Sequence, residues 1–166
     1  AVDPAHPAHL YVALEVGGVI RSLDGGETWQ PINQGLAPDV GRLDLHGIQV
    51  SSAQPDTVFI SVRAGLLRGH NRGEQWDPID LRQVSPITYC RDLRIAPDDP
   101  RTLYVSLGQA ARSAAGALFR SRDLGTSWER VDRGLTPKST MMAVGLTARQ
   151  PTCVYGCTRD GEVFGT

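Results

Sequence analysis

The sequence predicts an all-β fold built from repeated four-stranded units, and three observations support this prediction. A turn that ends in tryptophan recurs at intervals of about 50 residues, so that Trp29, Trp76 and Trp128 hold equivalent places. Short apolar segments recur in step with these turns. The 166 residues include 18 Gly and 11 Pro, and such turn formers favour many short strands over long helices.

The second strand of each unit is marked by an apolar segment, at residues 10–12, 58–60, 103–105 and 154–156. A proline stands three or four residues before each segment, at Pro7, Pro55, Pro100 and Pro151. The innermost strands precede the later prolines, at 47–50, 92–95 and 143–146, and the third strands are 19–21, 66–68 and 118–120. This pattern predicts units at about 1–39, 40–84 and 85–136, with an incomplete unit at 137–166.

Each third strand runs into the turn that ends in tryptophan. The first turn has Ser22, Asp24, Gly26 and Trp29, the third has Ser121, Asp123, Gly125 and Trp128, and the degenerate second has Asn71, Gly73 and Trp76. An aspartate is suited to accept backbone N–H bonds inside such a turn, and glycine supplies a positive φ. Tryptophan is expected to pack against the sheet.

The pattern S-x-D-x-G-x-T-W resembles the Asp-box, or BNR repeat, of sialidases, sortilin-type receptors, xyloglucanases and photosystem II assembly factors. The resemblance implies a β-propeller of four-stranded blades, with the boxes as folding devices away from the ligand. Asp24 and Asp123 are therefore expected to be structural and not catalytic. With about 48 residues per blade the chain holds about 3.5 blades, whereas propellers close with about 4 to 8. We expect part of a ring of six to eight blades, completed by further chain or by a second copy.

Composition limits the class of protein. The 17 Lys and Arg nearly balance the 18 Asp and Glu, which argues against a nucleic-acid partner. Hydrophobic residues make up 40% of the chain, enough for a packed core. There is no apolar run of the roughly 18 residues that span a membrane, and the absence of a signal-peptide pattern favours the cytoplasm.

The three cysteines, Cys90, Cys153 and Cys157, are too few and too poorly placed for a disulfide framework. Cys153 and Cys157 lie about 13 Å apart along one strand, beyond the reach of a disulfide. No cysteine and histidine spacing matches a zinc site. The sequence therefore predicts buried thiols, no metal and no cofactor.

Ligands of propellers usually meet one end of the central channel, whose rim is formed by the starts of innermost strands and the loops after second strands. The repeat alignment places His46 with Arg91 and Met142 at the strand starts, and Glu15 with Arg63 and Arg159 in the loops. The third unit has a longer loop, 108–116, that carries a single arginine. The candidate ligand-binding residues are Arg63, Arg91, Arg159, Arg112, His46, Tyr89 and Glu15.

Several interpretations of this rim stay open. Converging arginines suit a carboxylate or phosphate ligand, because guanidinium offers a bidentate fork. Alternatively, the arginines serve solubility, and Arg91 pairs with Asp92 or Asp44. His46 fits a general base or metal ligand, but a single histidine is more often an ordinary rim or core residue.

A binding module, an enzyme and a purely structural part of a larger repeat protein all fit a propeller with this rim. The one favoured by the sequence is a non-catalytic binding or scaffold module for an anionic small molecule, a glycan or a protein. The alternative is a glycoside hydrolase of the sialidase or a related BNR-repeat type. A sialidase needs an Arg-Ile-Pro element, which is absent, and no glutamate is fixed beside Tyr89.

Overall fold

The computed structural model describes residues 1–36, 40–148 and 152–165. Over these residues the chain is all-β, with antiparallel sheets of three or four strands. It divides into two compact units, Ala1–Ile79 and Asp80–Thr166. None of the helices in the described segments is long and apolar enough to cross a membrane.

The first unit contains two sheets. Strands β1 (Leu10–Leu14), β2 (Gly18–Ser22) and β3 (Gln30–Pro31) form a three-stranded sheet in chain order. A short helix, α1 (Val40–Leu43), leads to a four-stranded sheet of β4 (Leu45–Val50), β5 (Val58–Val62), β6 (Gly65–His70) and β7 (Gln75–Ile79).

The second unit repeats this architecture. A single 3-10 turn (Leu81–Gln83), capped by the side chain of Asp80, precedes β8 (Tyr89–Ile95). β8 pairs with β9 (Leu103–Gly108), followed by β10 (Gly116–Ser121) and β11 (Glu129–Arg130). The last sheet comprises β12 (Met141–Leu146), β13 (Val154–Thr158) and β14 (Val163–Gly165).

The second strand of each four-stranded sheet lies at the centre of its unit's packing. Every residue of β5 and of β9 is buried. A strand covered on both faces favours a continuous apolar run, which explains why these segments stand out in the sequence. The first unit packs Tyr11, Ile60 and Trp76 into one core cluster, and the second packs Tyr104 and Leu118 into another.

The strands predicted from the repeats are confirmed in both units. Helix α1 and the 3-10 turn were not predicted, because each is a single short turn without a periodic signal. The bounds of the four predicted units stay predictions. Pro151, Thr166 and the boundary at residue 39 lie outside the described residues.

The three thiols are free, as predicted, but their burial differs. Cys90 is fully buried in β8, and this burial, with the nearby Asp92 charge, raises the pKa of its thiol. Cys153 and Cys157 are only half-buried, so the prediction of three buried thiols is wrong for these two. Both lie at or next to β13, in the sheet formed by β12, β13 and β14.

The first and third turns share one hydrogen-bond network, and we call them the Ser–Asp turns (22–29 and 121–128). In the first, Oγ of Ser22 accepts from the Gly26 N–H at 2.8 Å and donates to Oδ1 of Asp24 at 2.7 Å. The Thr28 N–H and hydroxyl both donate to the Asp24 carboxylate. The indole N–H of Trp29 closes the turn on the Gly26 carbonyl at 3.0 Å.

The third turn reproduces this network with serine in place of threonine. Asp123 accepts from Oγ of Ser121 at 2.8 Å and from the N–H and hydroxyl of Ser127. Hydrogen bonds from Thr28 and Ser22 lower the pKa of Asp24 to about 2. Desolvation acts to raise the pKa of Asp123, but the hydrogen bonds from Ser127 and Ser121 outweigh it and lower that pKa to about 2. Both carboxylates are therefore bound within their own turns.

The degenerate second turn is held by the backbone. Gly73 and Glu74 donate their N–H groups to the carbonyl of His70 at 2.9 and 3.0 Å. The indole of Trp76 turns away from the loop and donates to the Ile32 carbonyl at 2.8 Å, so that this tryptophan is only 7% exposed. Gly69, in place of serine, makes room for it, because a Cβ there would lie 2.8 Å from the indole ring.

Candidate functional site

In each unit, one edge of the sheets carries the residues that the sequence placed on the rim. We call it the rim edge, where innermost strands begin and the loops from second to third strands lie. Three innermost strands share an irregularity there: the pairing of β4 shifts between Leu45 and Gly47, that of β8 between Cys90 and Asp92, and that of β12 between Met141 and Ala143.

The residue inside each shift is one of the three that the repeat alignment had matched. They are His46, Arg91 and Met142. A β-bulge leaves one residue out of the ladder and re-aims its side chain, and bulges are common beside functional sites. The alignment therefore identified a repeated structural position, and this position holds a different side chain in each unit.

In the first unit, the rim edge brings together Glu15, Asp44, His46 and Arg63. Glu15 is exposed in the β1–β2 loop, and its carbonyl accepts from the Leu45 N–H at 3.1 Å, directly after Asp44. The N–H of Arg63, in the β5–β6 loop, donates to the Asp44 carbonyl at 3.0 Å. Both loops are thus tied by their backbones to the start of β4.

His46 is paired with a carboxylate on its own strand start. Its Nε2 lies 3.2 Å from Oδ1 of Asp44, and its side chain is only 2% exposed, whereas that of Asp44 is 28% exposed. A carboxylate at this distance orients an imidazole ring. Among the described residues of this rim edge, the Glu15 carboxylate is exposed and the Asp44 carboxylate is held by histidine.

In the second unit, the rim edge carries Tyr89, Arg91, Arg112 and Arg159. Tyr89 begins β8 opposite Gly108, and its side chain is mostly buried. Arg112 and Arg159 are exposed in the β9–β10 and β13–β14 loops. The N–H of Arg159 donates to the Thr140 carbonyl at 2.9 Å, which ties its loop to the start of β12.

The charged partners in the second unit differ in part from those expected. The predicted pairing of Arg91 with Asp92 does not form: Asp92 instead bonds Nε of Arg94 at 3.1 Å and accepts the Val144 N–H at 2.9 Å. Asp92 therefore links β8 to β12. Nε of Arg159 donates to Asp160 at 2.8 Å, which raises the pKa of the guanidinium and lowers that of the carboxylate.

The long loop of the third repeat is anchored at both ends of its small-residue run. The hydroxyl of Thr140 donates to the Ala110 carbonyl at 2.7 Å and lies 2.9 Å from Oγ of Ser113. An open groove of about 360 Å³ runs along residues 114–117 of this loop and is completed by Ile87 and Pro137, among others. Sequence reasoning missed this groove, because its walls come from segments about 50 residues apart.

Known proteins resemble this chain both in sequence and in fold. No protein-family model matches the chain. The xyloglucanase Xgh74A of Acetivibrio thermocellus is 25% identical over 139 residues, which is 74% of this chain and 16% of that protein. Among solved structures, the GH74 xyloglucanase of Xanthomonas campestris superposes on the whole chain with a TM-score of 0.74, at 18% identity over 28% of its own length.

A second class of structure matches as well. YCF48 of Cyanidioschyzon merolae covers the whole chain with a TM-score of 0.61, at 14% identity over 51% of its own length. A further structure, YCF48 bound to D1 peptide, matches 94% of the chain with a TM-score of 0.52 and 16% identity over 60% of its length. The fold is a partial β-propeller. Its sheets are the blades, and the chain spans about a sixth of the curated xyloglucanase that it matches.

The comparisons overturn the preferred sequence-based function. The sequence favoured a non-catalytic binding propeller, but the curated relative and the structural neighbour from Xanthomonas campestris are xyloglucanases, which are glycoside hydrolases. Two further structural neighbours are GH74 enzymes. The physical reason for the error is that a propeller fold serves binding and catalysis alike, so that the repeats could not decide between them.

Proposed function

We propose that this propeller segment belongs to a glycoside hydrolase that acts on xyloglucan or a similar polysaccharide. The observation that carries the proposal is the 25% identity to a xyloglucanase over 139 residues, three quarters of the chain. On this proposal the Ser–Asp turns are Asp-boxes that shape the blades, and the rim edge belongs to the substrate cleft.

Hydrolysis of a glycosidic bond requires two carboxyl groups, one as acid and one as base or nucleophile. The first unit carries Glu15 and Asp44 at the rim edge, where the N–H of Leu45, the residue after Asp44, donates to the Glu15 carbonyl. Glu15 is exposed and free to approach a leaving-group oxygen. Asp44 is oriented by His46, which suits a base that must hold a water molecule. We assign these two roles accordingly.

The remaining rim residues fit a polysaccharide better than an anionic ligand. Xyloglucan carries hydroxyl groups and no carboxylates, so the guanidinium groups of Arg63, Arg91 and Arg112 would donate hydrogen bonds to sugar oxygens. Tyr89 adds an aromatic ring with a hydroxyl group. Within the second unit, the open groove along 114–117 has room for a sugar ring.

The test is the release of reducing ends from xyloglucan by the purified protein, together with affinity electrophoresis in a xyloglucan gel. We expect Glu15→Gln and Asp44→Asn to lower turnover by about 10²–10⁴-fold with retained binding, the range typical of general acid–base groups. Asp98→Asn is the matched control, an exposed aspartate in the turn before β9 at the opposite sheet edge. Unchanged turnover in the Glu15 and Asp44 variants, or no interaction with xyloglucan at all, contradicts the proposal.

A further inference from the structure

Four side chains of the first unit meet at the sheet edge opposite the rim edge. They are Asp3, His6, His9 and Asp56, and one ligand atom from each lies within 4.8 Å of the others. Nδ1 of His6 lies 3.4 Å from Oδ2 of Asp3, and Nδ1 of His9 lies 3.8 Å from the same oxygen. The two imidazole rings stack with their centroids 4.9 Å apart.

Only one of the two carboxylate oxygens of Asp3 holds the turn in which the residue lies. Oδ1 accepts the N–H groups of Ala5 at 2.8 Å and His6 at 3.3 Å, which closes the turn before β1. Oδ2 faces the two histidines. Asp3 has no exposed surface, so this oxygen is a buried acceptor directed at the imidazoles.

The repeats show that the turn itself needs neither histidine. Before β5, the equivalent turn has Ser51, whose hydroxyl accepts the Ala53 N–H at 3.1 Å, and Gln54 and Thr57 stand where the histidines would be. The Thr57 N–H donates to the Gln54 carbonyl at 3.3 Å, as the His9 N–H donates to that of His6 at 2.8 Å. The backbone turn is therefore the same without imidazoles.

The turn before β9 gives a second comparison. There Asp99 and Thr102 occupy the histidine positions, and the Thr102 hydroxyl satisfies Oδ2 of Asp99 at 2.6 Å. In the first repeat, Oδ2 of Asp3 has instead a long hydrogen bond of 3.4 Å to Nδ1 of His6. Nδ1 of His9 is buried and has no hydrogen-bond partner among the described residues.

The distances fit a shared metal ion better than direct hydrogen bonds. A hydrogen bond between a charged imidazole and a carboxylate is about 2.7–2.9 Å long, shorter than either contact to Asp3. Two ligands on a tetrahedral zinc ion, each about 2.0–2.2 Å from the metal, stand about 3.4 Å apart. The separation of 3.4 Å between His6 and Asp3 matches this value.

We propose that Asp3, His6, His9 and Asp56 bind a divalent transition-metal ion, with Zn²⁺ as the best fit. Two imidazoles and two carboxylates are ligands that zinc accepts in tetrahedral sites, whereas calcium and magnesium prefer oxygen ligands alone. Asp3 and His9 form a buried floor, with side chains 0% and 15% exposed. His6, 51% exposed, leaves an open mouth through which a hydrated ion enters.

Arg72 is the basic group that faces this cluster. Its Nε lies 3.5 Å from Oδ1 of Asp56, and its N–H donates to the Asp56 carbonyl at 2.7 Å. A carboxylate has a second oxygen, so Arg72 can orient Asp56 while the other oxygen binds the ion. The ion would join the turn before β1 to the turn before β5 and so clamp two neighbouring blades of the first unit.

Isothermal titration calorimetry of zinc binding to the metal-stripped protein tests the proposal. We expect one Zn²⁺ per chain and a rise in Tm of about 5 °C at saturating zinc, because a ligand that binds only the folded state stabilises it. The variant His6→Gln/His9→Thr copies the turn before β5 and should keep the fold. It should lose zinc affinity by about 100-fold or more, since even partners of metal ligands are worth 10–100-fold.

A second variant and a matched control complete the test. Asp3→Ser keeps the turn acceptor that Ser51 provides in the next repeat, and it should also lose zinc binding. His70→Gln removes an exposed histidine 3.1 Å from Asp77, a pair that no third ligand joins within the described segments. This variant should bind zinc as the parent does. No zinc binding at 1:1 stoichiometry, equal affinity in the double variant, or calcium binding of similar strength would each overturn the proposal.

Discussion

A methyl group added at Gly69 is expected to destabilise the first unit, although most substitutions of a strand glycine by alanine stabilise or are neutral. The ideal Cβ would lie 2.8, 3.0 and 3.0 Å from three ring carbons of Trp76, its partner across β6 and β7. Real Cβ atoms essentially never approach another heavy atom to 2.8 Å, so the ring must move. Trp76 is 7% exposed and fixed by its hydrogen bond to the Ile32 carbonyl, so that movement is costly.

The size of the effect follows from three contributions. Overpacking a core costs about 1–3 kcal/mol. Lengthening the bond from Trp76 to Ile32 costs up to about 1 kcal/mol more, within the usual worth of a hydrogen bond. Replacing glycine by alanine stabilises the folded state by about 0.4–1 kcal/mol, because the unfolded chain loses conformational entropy. The free energy of unfolding of Gly69→Ala should therefore fall by about 2 kcal/mol.

Urea denaturation followed by far-UV circular dichroism measures this change. Gly145→Ala is the matched control in β12, because its Cβ would meet only the Cβ of Tyr155 at 3.7 Å, and it should cost nothing. With Trp76→Leu already present, Gly69→Ala should cost less, a coupling of about 0.5–3 kcal/mol between neighbours. Equal stability of the Gly69 and Gly145 variants would refute the reasoning.

Three further predictions address the turns, the thiols and the long loop. The carboxyl groups of Asp24 and Asp123 should titrate near pH 2 in the folded chain, as followed by NMR, against 3.8 when unfolded. Because the pKa of each carboxyl group is lower in the folded chain, the stability that the two groups contribute is present above about pH 4 and is lost as the pH falls to about 2. An NMR titration midpoint near pH 4 for these carboxyl groups in the folded chain would contradict this. With a thiol reagent, the buried Cys90 should react only on unfolding, while the other two cysteines react in the native chain; three equal rates would contradict the burial. Thr140→Val should lower stability by about 1–3 kcal/mol and speed amide exchange in residues 109–115, because Ser113 and the Ala110 carbonyl lose their partner; unchanged exchange would exclude the anchor.

The strand layout could be predicted because its signals are local and repeated. The continuous apolar runs of β5 and β9 report burial on both faces directly. The alignment anchored on prolines even located the bulged position shared by His46 and Arg91. The functional preference failed because no local pattern separates a binding propeller from a hydrolytic one.

Contacts between distant segments were beyond sequence reasoning. His6 and His9 carry no zinc spacing on their own, and Asp56 reaches them only because the turns before β1 and β5 lie side by side. The spacing of Asp3, His6 and His9, three residues apart in one turn, was the signal that could have found them. The hydrogen bond from the Trp76 indole to the Ile32 carbonyl could not be predicted either, because the two residues lie 44 positions apart in the sequence.

The most direct test of the account is NMR mapping of a xyloglucan oligosaccharide on the ¹⁵N-labelled chain. The account predicts amide shifts confined to the rim edge of the first unit, around Glu15 and Asp44, with the Ser–Asp turns unaffected. Shifts centred on the Ser–Asp turns, or none at millimolar oligosaccharide, would contradict the claim that this rim edge belongs to a polysaccharide-cleaving site.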